Sequence, residues 1–347
     1  MKYDISGLFD LYNENLDIDS NDRDNLKKAR SNIRRVLRGE MAAECPKFMT
    51  QGSFRYGTLI RPSIVPPQEI DLDDGMYISE KTLSEPCSGN DILNKVESAL
   101  KKNLASYKII EKDTCVRVKI DEDKHVDLVV YKTKDGVEIY DEQSDNRRRI
   151  FERWALDIGG KPSDVLMAHR EKDWDSSDPR NIFKWVADQE IKYGEDFIKL
   201  SRVIKGWRNN QWENSPYSSL HLMALIEKSL EKIKETNFKN SDGRFDILLI
   251  NVLKEMRQLI YSDIEDPDKT RSGVNMNDKI DHEDKVDFAK KLDHSIEKLH
   301  NAISQEGESE GLKEIFGVHF IIHQAEVKIT QTEQFLPTPK TGPWSHE

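Results

Sequence analysis

Residues 49–78 read MTQGSFRYGTLIRPSIVPPQEIDLDDGMYI, and their order decides the fold: a turn at Gly52-Ser53, then Asp71-x-Asp73 on a strand. Alternate side chains of a strand point to opposite faces, so Asp71 and Asp73 project together while Leu72 and Asp74 face the other way. Two carboxylates on one patch suit magnesium, which takes oxygen ligands in tight octahedral geometry, usually one or two carboxylates plus substrate phosphates. Gly52 lets the backbone come close to a phosphate, and Ser53 adds a hydroxyl beside exposed amides. The turn thus offers a place for the anion that the acids require across the metal. For an isolated D-x-D the plain alternative is an acidic turn.

A two-metal site needs another acid, and Asp127 in HVDLVVYK (125–132) is the candidate. Val126, Leu128 and Val130 form one apolar face of that strand, and Asp127 shares the other with Val129 and Tyr131. Its plain alternative is a lysine partner or a strand-end cap. Val116, Val118 and Ile120 alternate with Arg117 and Lys119 before an acidic turn at 121–124, which predicts a hairpin that carries Asp127 to the first two acids.

Around these strands the pattern predicts an amphipathic helix through Leu26, Ala29, Ile33, Val36 and Leu37. Strand-like runs cover Phe48–Gln51, Glu69–Ile78, Lys108–Ile120, His125–Lys132 and Val137–Tyr140, with a helix over Asp91–Asn103. From about Phe151 the chain reads as largely helical, with one long or two consecutive helices over Phe183–Asn210 and another through Leu220–Ile233. Ser262–Asp281 reads as a long loop. No internal repeat is visible.

Taken in order, QGSFRYGTLIRP, PPQEIDLDDGMYI, HVDLVVY, LSRVIKGWRNNQW (200–212) and SPYSSLHLMAL (215–225) resemble the bacterial cGAS/DncV-like nucleotidyltransferases (CD-NTases) of the polymerase-β-type superfamily, nearest the DncV-like branch. The resemblance implies an α+β, bilobal fold: a mixed-sheet nucleotidyltransferase core over 1–150, packed against a mainly helical lobe over 151–347, with the active site in the cleft. The helix through Leu26 and Leu37 would span both lobes. Two Mg2+ or Mn2+ ions on Asp71, Asp73 and Asp127 and nucleoside triphosphate substrates are implied, ATP and GTP among them, with the choice of bases left open.

The same resemblance places Lys205 and Ser219 on the donor triphosphate. The plain readings are a solvated helical lysine and, for Ser218 and Ser219, an N-cap; a helix N-terminus that caps itself also attracts phosphate. Tyr56 matches a position that stacks on a nucleobase, with a core tyrosine as the equal alternative. Gln51 and Arg61 are further nucleotide-binding candidates. The implied activity is synthesis of a cyclic di- or trinucleotide second messenger, cGAMP-like, for an effector of anti-phage CBASS defence, with regulation by a ubiquitin-transfer-like partner as a further implication. Rival readings are an RNA, tRNA, protein or antibiotic nucleotidyltransferase and a non-catalytic nucleotide sensor.

Composition narrows the field. The net charge of −11 argues against a general nucleic-acid surface, and Arg147-Arg148-Arg149 reads as a solvated run balanced by nearby acids. Three widely spaced cysteines, Cys45, Cys87 and Cys115, suit free thiols better than disulfides or zinc. His319 and His323 have no ligating neighbour in their motif, which favours packing over metal binding. No apolar run of membrane length and no leader-like N-terminus is visible, so a cytoplasmic protein without DNA or membrane partners is expected.

Overall fold

The computed structural model describes residues 3–63, 68–83, 86–137, 139–142, 164–235, 243–305, 307–322 and 328–329. Its centre is a mixed sheet in which β2 (Lys47–Thr50), β3 (Ile70–Ser79), β6 (Lys124–Thr133), β5 (Cys115–Lys119) and β4 (Lys108–Glu111) lie side by side. β3 and β6 run parallel, with Asp73 opposite Asp127 and Asp71 opposite His125. β5 and β6 form the expected hairpin, with Arg117 opposite Asp127. Beyond the end of β5, the last residues of β6 pair with β7 (Val165–His169), which pairs in turn with β8 (Asp173–Ser176).

The period of two divides the sheet's faces. Leu72, Met76 and Ile78 of β3, Val126, Leu128 and Val130 of β6, and Val116 and Val118 of β5 bury one face against α2 (Ser20–Glu40) and α4 (Gly89–Asn103). Asp74 lies on this apolar side and is fully buried. Arg34 on α2 neutralises it, donating from Nε at 2.8 Å, and the same guanidinium donates to Glu142 at 3.0 Å. Asp74 is therefore a structural ion pair within an acidic run, separate from the two acids that flank Leu72.

On the opposite face, Tyr77 and Tyr131 stack at 4.8 Å and join the core of the helical lobe. That lobe contains α5 (Pro179–Tyr193), α6 (Glu195–Gln211), α7 (Ser219–Glu235), α8 (Phe245–Leu259), α9 (His282–Ser304) and α10 (Leu312–Phe316). Leu200, Ile204, Trp207, Leu225, Leu249 and Phe288 are among its buried side chains. Gly194 ends α5 with a positive φ, which resolves the 183–210 pattern into two helices.

Several features depart from the sequence reading. α1 (Ser6–Asn15), in a stretch without a clear period, puts Leu8, Phe9 and Tyr12 into the helical core. The buried apolar stripe of α2 lies wholly in the sheet core, so α1 and α2 divide the task of spanning both lobes. β7 and β8 add strands beyond residue 151, and the lobes therefore exchange segments across that boundary. The run over 108–120 is two strands with a turn between them. No strand is assigned to the described residues of 137–140. The 262–281 loop contains short 3-10 turns at Lys269–Arg271 and Met276–Lys279.

A two-residue ribbon pairs β1 (Tyr3–Asp4) with β9 (Lys328–Ile329). Cys45, Cys87 and Cys115 are free thiols. Among the described residues no helix is long and apolar enough to cross a membrane. The Arg147–Arg149 run, His323 and the Pro-containing stretch 336–347 lie outside the described residues.

Candidate active site

The site forms where the open face of β3 and β6 meets the helical lobe. Gln51 leads into the short helix α3 (Gly52–Tyr56), and Gly52 adopts φ +63°. A Cβ at Gly52 would lie 1.9 Å from Asp73 Oδ2. Only glycine therefore lets this turn close over the carboxylate. The adjacent Ser53 Oγ is buried without a hydrogen-bond partner among the described residues, as expected of a hydroxyl held for a ligand.

Asp73 carries the electrostatic signature of the site. Burial, then the charges of Asp71 and Asp127, push its carboxyl up to about 8, against the pull of Lys205 and Arg117. Three like charges on adjacent strands repel one another, and a divalent cation removes that repulsion. The residues thus fit magnesium: paired carboxylates, an unpartnered hydroxyl and a glycine turn that only hydrogen can occupy.

Asp127 qualifies the three-acid expectation. Arg117 Nε and Nη2 donate to its two oxygens, each at 2.8 Å, so both are engaged across the hairpin. Among the described residues, no group of three His, Cys, Asp or Glu side chains is gathered to enclose a metal. Asp71 and Asp73 carry no ion pair among the described residues, and each Asp127 oxygen keeps a lone pair beside its bond to Arg117. Beside it, His125 is held by Glu69 at 2.8 Å.

Opposite the acids stands α6. Lys205 donates to the Thr58 carbonyl at 3.5 Å and feels the charges of Asp71 and Asp73, while burial pulls its ammonium down to about 8. Arg208, one turn on, donates to Ser219 Oγ at 3.3 Å and to the Tyr217 carbonyl at 3.1 Å. Ser218 Oγ caps α7, accepting from the His221 amide at 3.2 Å, and leaves Ser219 to face α6. Arg202 ties α6 to the loop after α3 through the Leu59 carbonyl, and to Asn13 and Asp17 beside α1.

Three expected nucleotide contacts are otherwise engaged. Tyr56 is 8% exposed, with its ring packed 6.3 Å from Phe183, the surroundings that the core alternative expects. Gln51 is buried and bonded to the Tyr131 hydroxyl at 3.2 Å. Arg61 donates to the Asp17 carbonyl at 3.2 Å. All three lie near the turn in sequence, but Tyr56 and Gln51 pack beside it and Arg61 bonds to the segment after α1. Conversely, Arg208 and Arg117 went unnoticed. Arg208 shares a helix face with Lys205 by spacing, but the partner of Arg117 depends on hairpin register. A separate basic cavity of about 170 Å³, lined by Arg23, Lys27, Arg30 and Arg55, contains none of the three acids.

The raised Asp73 carboxyl predicts a pH effect. Unfolded, the group titrates near ~4; folded, it retains its proton up to about 8. Its contribution to stability is fully present below the lower value and lost as pH rises through the upper one. The melting temperature of metal-free protein should therefore contain a component that falls across this window and that D73N or saturating magnesium removes. Scanning calorimetry with EDTA and with magnesium measures it; identical pH profiles for parent and D73N would refute the assignment.

A Gly-Ser turn over paired strand carboxylates, facing a helical lobe that presents cations, defines a polymerase-β-type nucleotidyltransferase. The description "Cyclic GMP-AMP synthase DncV-like, nucleotidyltransferase domain" matches residues 46–131, and "Cyclic GMP-AMP synthase, C-terminal domain" matches 194–322. The chain belongs to the DncV-like nucleotidyltransferase family. It is 31% identical to a cyclic GMP-AMP synthase of Vibrio cholerae over 80% of this chain and 68% of that one. It is 28% identical to one from Escherichia coli over 86% and 74%. Among solved folds, V. cholerae DncV cyclic AMP-GMP synthase with the linear intermediate 5' pppA(3',5')pG superposes with TM-score 0.77 at 22% identity, covering 95% of this chain and 100% of that chain. The V. cholerae enzyme with GTP and 5MTHFGLU2 gives the same score and coverage.

Proposed function

We propose that this nucleotidyltransferase joins two nucleoside triphosphates, ATP and GTP to match the cyclic GMP-AMP that its relatives are named for, into a cyclic GMP-AMP-type dinucleotide and releases pyrophosphate. The observation that carries the reading is that Asp71 and Asp73, crowded enough to raise the Asp73 carboxyl, face Lys205 across one cleft. Anionic substrate and divalent cation each supply what the other's residues lack.

Asp71 and Asp73 would hold magnesium, which supplies phosphate-charge neutralisation and a more acidic acceptor hydroxyl. Ser53 and the Gly52 turn position the α-phosphate, while Lys205 and Ser219 restrain the triphosphate. Asp127, oriented by Arg117, accepts the proton as the hydroxyl oxygen bonds to the α-phosphorus and the bond to the β-phosphate oxygen breaks. A second turn of the same step closes the ring. The product would signal to an effector of a cytoplasmic anti-phage system, an assignment that rests on the resemblance.

Incubating the protein with magnesium and pairs of labelled NTPs, followed by phosphatase treatment and mass spectrometry, tests this reading. A phosphatase-resistant cyclic product is expected. Addition of nucleotides only to RNA or to a protein acceptor would overturn it.

A further inference from the structure

Half-buried Arg208 differs from five other shielded arginines of this molecule. Arg34, Arg55, Arg170, Arg180 and Arg202 each hold a carboxylate. Arg208 donates instead to neutral acceptors: the Tyr217 carbonyl at 3.1 Å, Ser219 Oγ at 3.3 Å and the Asn209 side-chain oxygen at 2.6 and 3.0 Å. Among the described residues, neither it nor Lys205 has a carboxylate within ion-pairing distance. Burial pulls the Arg208 guanidinium down to about 10, with only the more distant Asp71 charge opposing that shift. Two half-buried cations without a counter-charge carry a cost that an anion joining them removes.

We propose that Arg208 grips the β- and γ-phosphates of the bound NTP, the half that departs as pyrophosphate. The assignment rests on the nucleotidyl-transfer reading above and deepens it. Lys205 feels both Asp71 and Asp73, whereas Arg208 feels Asp71 alone and lies toward Ser219. Three residues of α-helix advance about 4.5 Å, a distance within the span of a diphosphate. A planar guanidinium binds phosphate through two parallel N–H groups, and Ser219 opens α7, whose first amides also attract anions. As the bond from the α-phosphorus to the bridging oxygen breaks, the electron pair goes to the departing pyrophosphate. Arg208 stands where that charge develops.

The rival role is a brace, in which Arg208 only steadies the 212–218 loop. Isothermal titration with magnesium separates the two, using inorganic pyrophosphate, AMP and the unreactive α,β-methylene ATP as probes. Arg208→Gln should weaken pyrophosphate and the triphosphate analogue by about tenfold or more, with AMP changed by less than about twofold. Arg208→Lys, which keeps the charge, should show a smaller loss with the same selectivity, and it carries the test if the Gln variant fails to fold. Parental pyrophosphate binding by the Gln variant, or equal weakening of AMP and analogue, would overturn the assignment. A parent protein that binds neither phosphate probe would overturn the nucleotidyl-transfer reading itself, which is a distinct outcome.

Discussion

Replacing both Asp71 and Asp73 with Asn is expected to reduce pyrophosphate release by at least about 10³-fold, a loss of roughly 4 kcal/mol in transition-state stabilisation. The substitution keeps shape and strand pairing but removes the charge that holds the cation. Asp73 is crowded by Asp71 and Asp127, so the variant also loses a source of repulsion. Its melting temperature without metal should equal or exceed the parent's near neutral pH. Lost activity in a protein at least as stable is the signature of a charge kept for function. Activity comparable to the parent's would mean that these carboxylates do not bind the catalytic metal.

Gly52→Ala is expected to lower turnover by about 100-fold in a folded protein, because the new methyl group collides with Asp73. The added Cβ would sit 1.9 Å from Oδ2 and 2.8 Å from Cγ. Relieving that overlap moves the carboxylate by about an ångström, and misplacement on that scale costs about 10²-fold in rate. The left-handed backbone at φ +63° adds roughly 1–2 kcal/mol of strain. Gly136→Ala is the control: φ is +82° there, but nothing lies within 4 Å of the added Cβ. Steady-state rates and thermal melts of both variants separate collision from strain. If G52A turned over as fast as G136A, the packing of the turn on Asp73 would have no catalytic consequence.

The strand alternation around Leu72 and around Val126–Val130 was legible because a period of two leaves no choice of face once one side is apolar. The hairpin that leads to Asp127 was legible for the same reason. α1 and β7 were not: Leu8, Phe9 and Tyr12 make a helix face only against α6, α8 and α10, and β7 acquires its identity from pairing with Tyr131–Thr133. Tyr56, Gln51 and Arg61 show a different limit. Nearness in sequence to the Gly-Ser turn said nothing about whether their side chains served a ligand or the turn's own support.

By itself, the sequence determined the chemistry available: which carboxylates share a face, which glycine can close over them, and which helix carries a lysine. Those are local properties, set by backbone geometry within a few residues. Only the tertiary structure decided how the charges are balanced. Asp74 is cancelled by Arg34, Asp127 is held by Arg117, and Lys205 with Arg208 is left without a carboxylate counter-charge among the described residues. Coulomb interaction depends on separation in space and on exclusion of water, and neither quantity is written in the order of residues along a chain.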